Sequence, residues 1–163
     1  MVLSRHQEDE RWMSHALSLA QKAFDLGEVP VGAVIVSDGA IIGEGWNSPI
    51  SSNDPTAHAE LVAIRAACKH VENYRLVDAR LYVTIEPCTM CLGGLIHARI
   101  GQLIFGACEP KSGVVQSHQH LVSSDIYNHQ FECQGGILED ECSEIIQRFF
   151  KQRRDEKKKA KRE

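Results

Sequence analysis

The sequence predicts a layered α/β domain, and three observations predict it. Short β-rich runs alternate with segments of helical period along the chain; Asp38-Gly39 stands between two apolar runs as a hairpin signal; and Pro87 divides a compact β-rich run from a helical one. At 163 residues, 43% hydrophobic and 25% charged, the chain has one domain's worth of length and enough apolar material for a core. That composition excludes a disordered, collagen-like or disulfide-stapled chain.

The elements follow in order. Residues 8–26 place Trp12, Ala16, Leu19, Ala20, Ala23 and Phe24 at helical spacing, with Gly27 as a C-cap. VGAVIVSDGAIIGEGWN reads as strands over 31–36 and 40–46 joined at Asp38-Gly39. SPISSNDPT is a loop of turn formers, after which Asp54 as cap and Pro55 just inside a helix start introduce an Ala-rich helix ending near His70. ARLYVTIE is a strand, Pro87 ends it, and a helix follows over 88–97. A short strand spans 102–106, and 108–128 is polar loop with one short helix at most. Gly135-Gly136 separates a weak strand around Phe131 from a last helix that starts near Leu138, acidic first and basic last, as its macrodipole favours.

No run of about 18 apolar residues exists to span a bilayer. The start, MVLSRHQEDERW, is polar and acidic where a signal peptide is basic and then apolar, so a cytoplasmic protein without membrane contact is expected. In a reducing compartment, closely spaced cysteines point to metal or redox work rather than disulfides. Of Cys68, Cys88, Cys91, Cys108, Cys133 and Cys142, only Cys88 and Cys91 are close; the other four read as small buried hydrophobes.

His58-Ala59-Glu60 and Pro87-Cys88-Thr89-Met90-Cys91 carry the chemistry, each at an expected helix start. Cysteines at i and i+3 share one helical face, and a helix N-terminus favours their thiolates. With His58 they make a ligand set suited to Zn²⁺. A structural zinc site needs a fourth protein ligand at short spacing, and no second CxxC or HxxxH is present. Three ligands leave one position for water, whose pKa zinc lowers to about 7. Glu60 can take and return its proton provided it lies in the first helical turn, because two residues along a regular helix is about 200°. His118, His120 and His129 lie in polar loop and read as solvated, and Gly43-Glu44-Gly45 lacks the third glycine of a dinucleotide loop.

HAE followed by PCxxC is a known signature of the zinc nucleobase deaminases. GEGWN, DPTAHAE, NYRL, DARLYVTIEPCTMC, IHARIG, FGA and FFKQRR together resemble the bacterial tRNA-specific adenosine deaminases of the cytidine deaminase superfamily, from about residue 8 to 154. The resemblance implies a single deaminase domain over 1–163, of three-layer α/β/α form, with a mixed sheet of about five strands flanked by helices. It implies hydrolytic deamination of adenosine to inosine at wobble position 34 of a tRNA anticodon. It also implies one Zn²⁺ per subunit held by His58, Cys88 and Cys91, with Glu60 as proton shuttle. By the same resemblance Asn47 and the Ala59 backbone N–H hold the flipped base, and Glu109, Lys111, Phe150 and Arg153 are substrate contacts. Family members are homodimers whose anticodon surface uses both subunits. Many relatives have Arg-Asp where this chain has Cys108-Glu109.

Two other readings use the same residues: a zinc deaminase of a free base or nucleoside (cytidine, cytosine or guanine), and a non-catalytic zinc-stabilised RNA-binding module. Charge placement separates the first from RNA editing. The net charge is −4, but residues 148–163 hold nine Lys+Arg against three Asp+Glu, a local +6, and the remainder holds nine against nineteen, −10. A basic end beside Phe149 and Phe150 is useful for phosphates and needless for a free base. Glu60 beside an open coordination position argues against the module.

Overall fold

The computed structural model describes residues 1–163. In chain order the elements are α1 (Arg5–Asp25), β1 (Gly32–Ser37), β2 (Ala40–Trp46), α2 (Pro49–Ser52), α3 (Ala59–Val71), β3 (Arg80–Ile85), α4 (Thr89–His97), β4 (Gln102–Ala107), a 3₁₀ turn (Leu121–Ser123), β5 (Glu132–Gln134) and α5 (Glu139–Ala160). The five strands form one mixed sheet in the order β2-β1-β3-β4-β5. β1 pairs antiparallel with both β2 and β3, whereas β3–β4 and β4–β5 are parallel. Asp38 and Gly39 take φ of 50° and 73°, the left-handed pair that a tight two-residue hairpin requires. No helix is long and apolar enough to cross a membrane.

Alternation along the strands builds the three layers. Ala33, Ile35, Leu81, Val83, Leu103 and Phe105 face one side and pack with Ala59, Ala63 and Ala67 of α3 and Leu95 of α4. Val34, Val36, Tyr82 and Ile104 face the other side and meet Trp12, Met13, Ala16 and Leu19 of α1 and Cys142 of α5. Gly43 and Gly45 of β2 let α3 lie directly on the sheet. A Cβ at Gly43 would stand 2.5 Å from the Ala63 carbonyl, and one at Gly45 2.6 Å from Ala63 N. The close approach explains these glycines, which bind no dinucleotide.

The structure moves two helix starts and adds one element: α1 begins at Arg5, capped by Ser4, rather than near residue 8. The helix expected from Pro55 begins at Ala59 instead. Asp54 Oδ1 accepts from Thr56 N (2.8 Å) and Thr56 Oγ (2.7 Å), closing a local turn in place of a cap. Within SPISSNDPT, Pro49–Ser52 forms the short α2. β5 lies just past Phe131, and α5 starts after Leu138 as expected and continues unbroken to Ala160.

Candidate metal centre and base cavity

His58 and Cys88 are the N-cap residues of α3 and α4, both in extended backbone conformation (ψ 150° and 176°). Neither side chain caps its own helix, so both are free to point outward. The cap of α3 comes from elsewhere: Asn47, just past β2, accepts the Ala59 N–H at 2.8 Å. One remote amide oxygen therefore satisfies the first N–H of the helix and leaves the His58 side chain for other work.

His58 Nδ1 stands 3.7 Å from Cys88 Sγ and 3.6 Å from Cys91 Sγ, and the three donor atoms lie within 4.8 Å of one another. Zn–S of about 2.3 Å and Zn–N of about 2.0–2.1 Å at tetrahedral angles give an N···S edge of about 3.6 Å. The chain thus holds the spacing of three corners of a zinc tetrahedron, and its soft, mixed N/S donor set suits that ion. Cys88 is held down to about 4, first by Cys91 and then by His58, against a burial effect that acts upward. Cys91 is pushed up by the neighbouring Cys88 and by burial. His58 is raised, chiefly by its hydrogen bond to Cys88.

Glu60 lies in the first turn of α3, and its Oε2 approaches Cys91 Sγ to 2.7 Å. Its place in the first turn brings the carboxyl to the cluster of His58, Cys88 and Cys91. Glu60 is 3% exposed, and burial raises its pKa. Asn47, His58, Glu60, Cys88 and Glu109 share the wall of a cavity of about 230 Å³ with Val29, Val31, Ile85, Glu86 and Ser112. Asn47 uses its oxygen on Ala59 and makes no hydrogen bond through its amide nitrogen. The Ala59 N–H points at Asn47, so these two expected base contacts are paired with each other.

The remaining expected contacts divide. Lys111 and Phe150 line a larger groove of about 790 Å³ along α5, together with Arg148, Lys151 and Arg154. Arg153 does not line that groove: it donates to the Gly27 carbonyl at 2.7 Å, lies 5.1 Å over the Phe149 ring and pairs with Glu156 at 3.3 Å. Phe149 is buried against Phe24 (5.6 Å between ring centroids), and Phe150 is exposed.

Two buried carboxylates beside the cavity were not singled out by sequence. Glu28 accepts from Ile50 N (2.8 Å) and Ser51 N (3.0 Å), holding the loop that follows Asn47. Glu86 accepts from the backbone N–H groups of Glu109, Val115, Gln116 and Ser117. Burial pushes the Glu86 carboxyl up, but hydrogen bonds from Ser117, Gln116 and Glu109 outweigh it and hold the group below its ordinary range.

Comparison with known proteins agrees with this geometry. The MafB19-like deaminase family matches residues 7–154. A tRNA-specific adenosine deaminase of Haemophilus influenzae is 51% identical over 155 residues, covering 94% of this chain and 90% of the relative. That of Bacillus subtilis is 41% identical over 155 residues, covering 95% and 96%. A solved structure from work on A-to-I editing by tRNA:A34 deaminases superposes with a TM-score of 0.81 at 43% identity, over 83% of this chain and 98% of that one. A Bacillus subtilis guanine deaminase reaches a TM-score of 0.58 at 48% identity, over 61% of this chain and 64% of its own. With sequence, fold and donor cluster in agreement, the chain belongs to the MafB19-like deaminases, in the group of the tRNA-specific adenosine deaminases.

Proposed function

We propose that this protein deaminates adenosine to inosine by hydrolysis at wobble position 34 of a tRNA anticodon. His58, Cys88 and Cys91 are the residues that would hold one Zn²⁺ per subunit. When bound, zinc supplies a water of pKa about 7 at its fourth position. The observation that carries the reading is the donor triangle with Glu60 buried against it and the cavity opening beside both.

The residues then divide the work. Glu60 takes a proton from the attacking water, delivers it to adenine N1, and passes a second to the amino group at C6, which leaves as ammonia. Water in and ammonia out balance the conversion. Asn47, oriented by the Ala59 N–H, presents its amide nitrogen to an acceptor on the base. Val29, Val31 and Ile85 offer apolar surface to its face. At about 230 Å³ the cavity falls below the ~300–1,000 Å³ of drug-sized sites, so one base enters and the rest of the nucleotide stays outside. Glu109 and Lys111 stand where the flanking backbone emerges, and the α5 groove with Phe150 receives phosphate and a neighbouring base. Arg153 serves from behind, fixing α5 to the loop after α1. Residues 1–163 act as one deaminase domain, in the cytoplasm with their tRNA substrate, and as a homodimer.

The guanine deaminase likeness favours a second reading, a free-base deaminase built on the same core. The decisive assay is incubation with an A34 anticodon stem-loop and, separately, with free adenosine, cytidine, cytosine and guanine, followed by mass spectrometry. Inosine in the stem-loop alone is expected. Turnover of a free base with an unaltered stem-loop overturns the RNA reading in favour of the second.

A further inference from the structure

We propose that Glu86 is a positioning residue for the substrate: its buried carboxylate sets the shape of the 109–117 loop and so the place of Glu109 and Ser112 in the cavity wall and of Lys111 in the α5 groove. This deepens the function proposed above and rests on it for the identity of the substrate.

Glu86 is the residue after β3, and its own N–H donates to the Ala107 carbonyl at 2.9 Å, continuing the β3–β4 pairing. Its backbone is therefore fixed by the sheet, and its side chain is 2% exposed. Oε1 accepts from Glu109 N at 3.2 Å and from Ser117 Oγ. Oε2 accepts from three successive N–H groups, Val115 at 2.9 Å, Gln116 at 2.8 Å and Ser117 at 3.0 Å. Both ends of the loop are thus tied to one carboxylate. Between them Gly113 passes so close that a Cβ there would stand 2.5 Å from Glu86 Cδ and 2.5 Å from the Glu109 carbonyl. The tied loop carries Glu109 and Ser112 into the cavity wall and Lys111 into the α5 groove. One residue therefore sets the distance between the base cavity and the groove for the flanking nucleotides.

Five donors converging on one side chain require a carboxylate. Both of its oxygens accept, whereas glutamine has a single acceptor oxygen and an NH₂ that must face N–H donors in either orientation. Glu86→Gln keeps size and shape and removes the clamp. The variant is expected to bind zinc as the wild type does, by metal analysis. Its KM for the A34 stem-loop should rise about tenfold, the scale of one lost buried hydrogen bond, with kcat within about threefold. Amide hydrogen exchange at 115–117 should accelerate while that of Thr89–His97 stays unchanged.

Gly113→Ala, with Glu86 intact, should give the same rise in KM, and Ser117→Ala a smaller one. These two variants carry the test if Glu86→Gln fails to fold by circular dichroism. Unchanged exchange at 115–117, or a fall in kcat at constant KM, overturns the proposal. Wild-type protein that leaves the stem-loop unconverted refutes the substrate instead, and the exchange measurement still decides the clamp.

Discussion

Asn47 shows how one side chain can serve stability and chemistry with different atoms. Its oxygen caps α3, and its nitrogen makes no hydrogen bond within the chain, which under the proposed function leaves it for the base. Asn47→Asp keeps the acceptor and replaces the donor, so the melting temperature should change little while KM for the stem-loop rises. Asn47→Ala loses both, and thermal denaturation should show a further loss of about 1 kcal/mol, typical of a helix cap. Glu60→Gln should retain zinc and fold but lose about 10²–10⁴ of kcat, read by inosine formation; an active variant would remove the shuttle role. At this scale legibility depended on sequence proximity. His58 with Glu60, and Cys88 with Cys91, declare their chemistry through spacing. Glu28 and Glu86 bond to groups 22 to 31 residues away, and a lone glutamate in a sequence reads as solvated. Asn47 was legible only through resemblance, since its partner lies 12 residues on.

At the scale of elements, α3 must lie flat on β2 for His58 to meet Cys88. Gly45→Ala would press α3 outward, with an expected cost of about 1–3 kcal/mol by denaturant unfolding and weaker zinc retention, because His58 moves with the helix. α1 is fastened to the sheet by polar contacts. Tyr82 O–H donates to the buried Asp9 at 2.7 Å, and Arg80 reaches Glu8 at 3.4 Å. The Arg80 guanidinium holds the Glu8 carboxyl below its ordinary 4.5. A lowered folded-state pKa means stability present above the ordinary value and lost as pH falls through the lowered one. The stability difference between wild type and Glu8→Gln, under about 1 kcal/mol at neutral pH for a pair still in touch with solvent, should therefore shrink on acidification below 4.5. Strand and helix identities were legible from periodicity; the start of α3 was not. Asp54-Pro55 carries a strong helix-start pattern, but Thr56 offers Asp54 a nearer partner, and the true cap comes from Asn47 on another element.

Across the whole molecule, positive charge is concentrated in and just past the last helix, where residues 148–163 hold nine Lys+Arg against three Asp+Glu. Every residue from 151 to 163 is exposed, and the basic half of α5 is tied to the rest of the chain through Arg153 and the Gly27 carbonyl. Deleting 155–163 spares the Arg153–Gly27 contact and removes Lys157, Lys158, Lys159, Lys161 and Arg162. Weaker tRNA binding with a shallower dependence on salt is expected from a binding titration at several ionic strengths. The layered class was legible from alternation of elements, and the parallel β3–β4 pair follows from the helix between them. That β1 would lie between β2 and β3 has no local signal, because strand order is decided by which faces bury together. His58 and Cys88, thirty residues apart, would also make a bound zinc a fastening of the fold. An ion that grips both helix starts would bind the native chain more tightly than the unfolded one, where only the Cys88–Cys91 pair stays close. At a free concentration a hundred times its Kd it would add up to about 2.7 kcal/mol of stability. For a chain of this length each kcal/mol is worth about 2–4 °C, so a chelator should lower the melting temperature by several degrees and leave a Cys88→Ala variant unmoved. Zinc scarcity would then act on abundance as well as on rate, since molecules without the ion are the first to unfold.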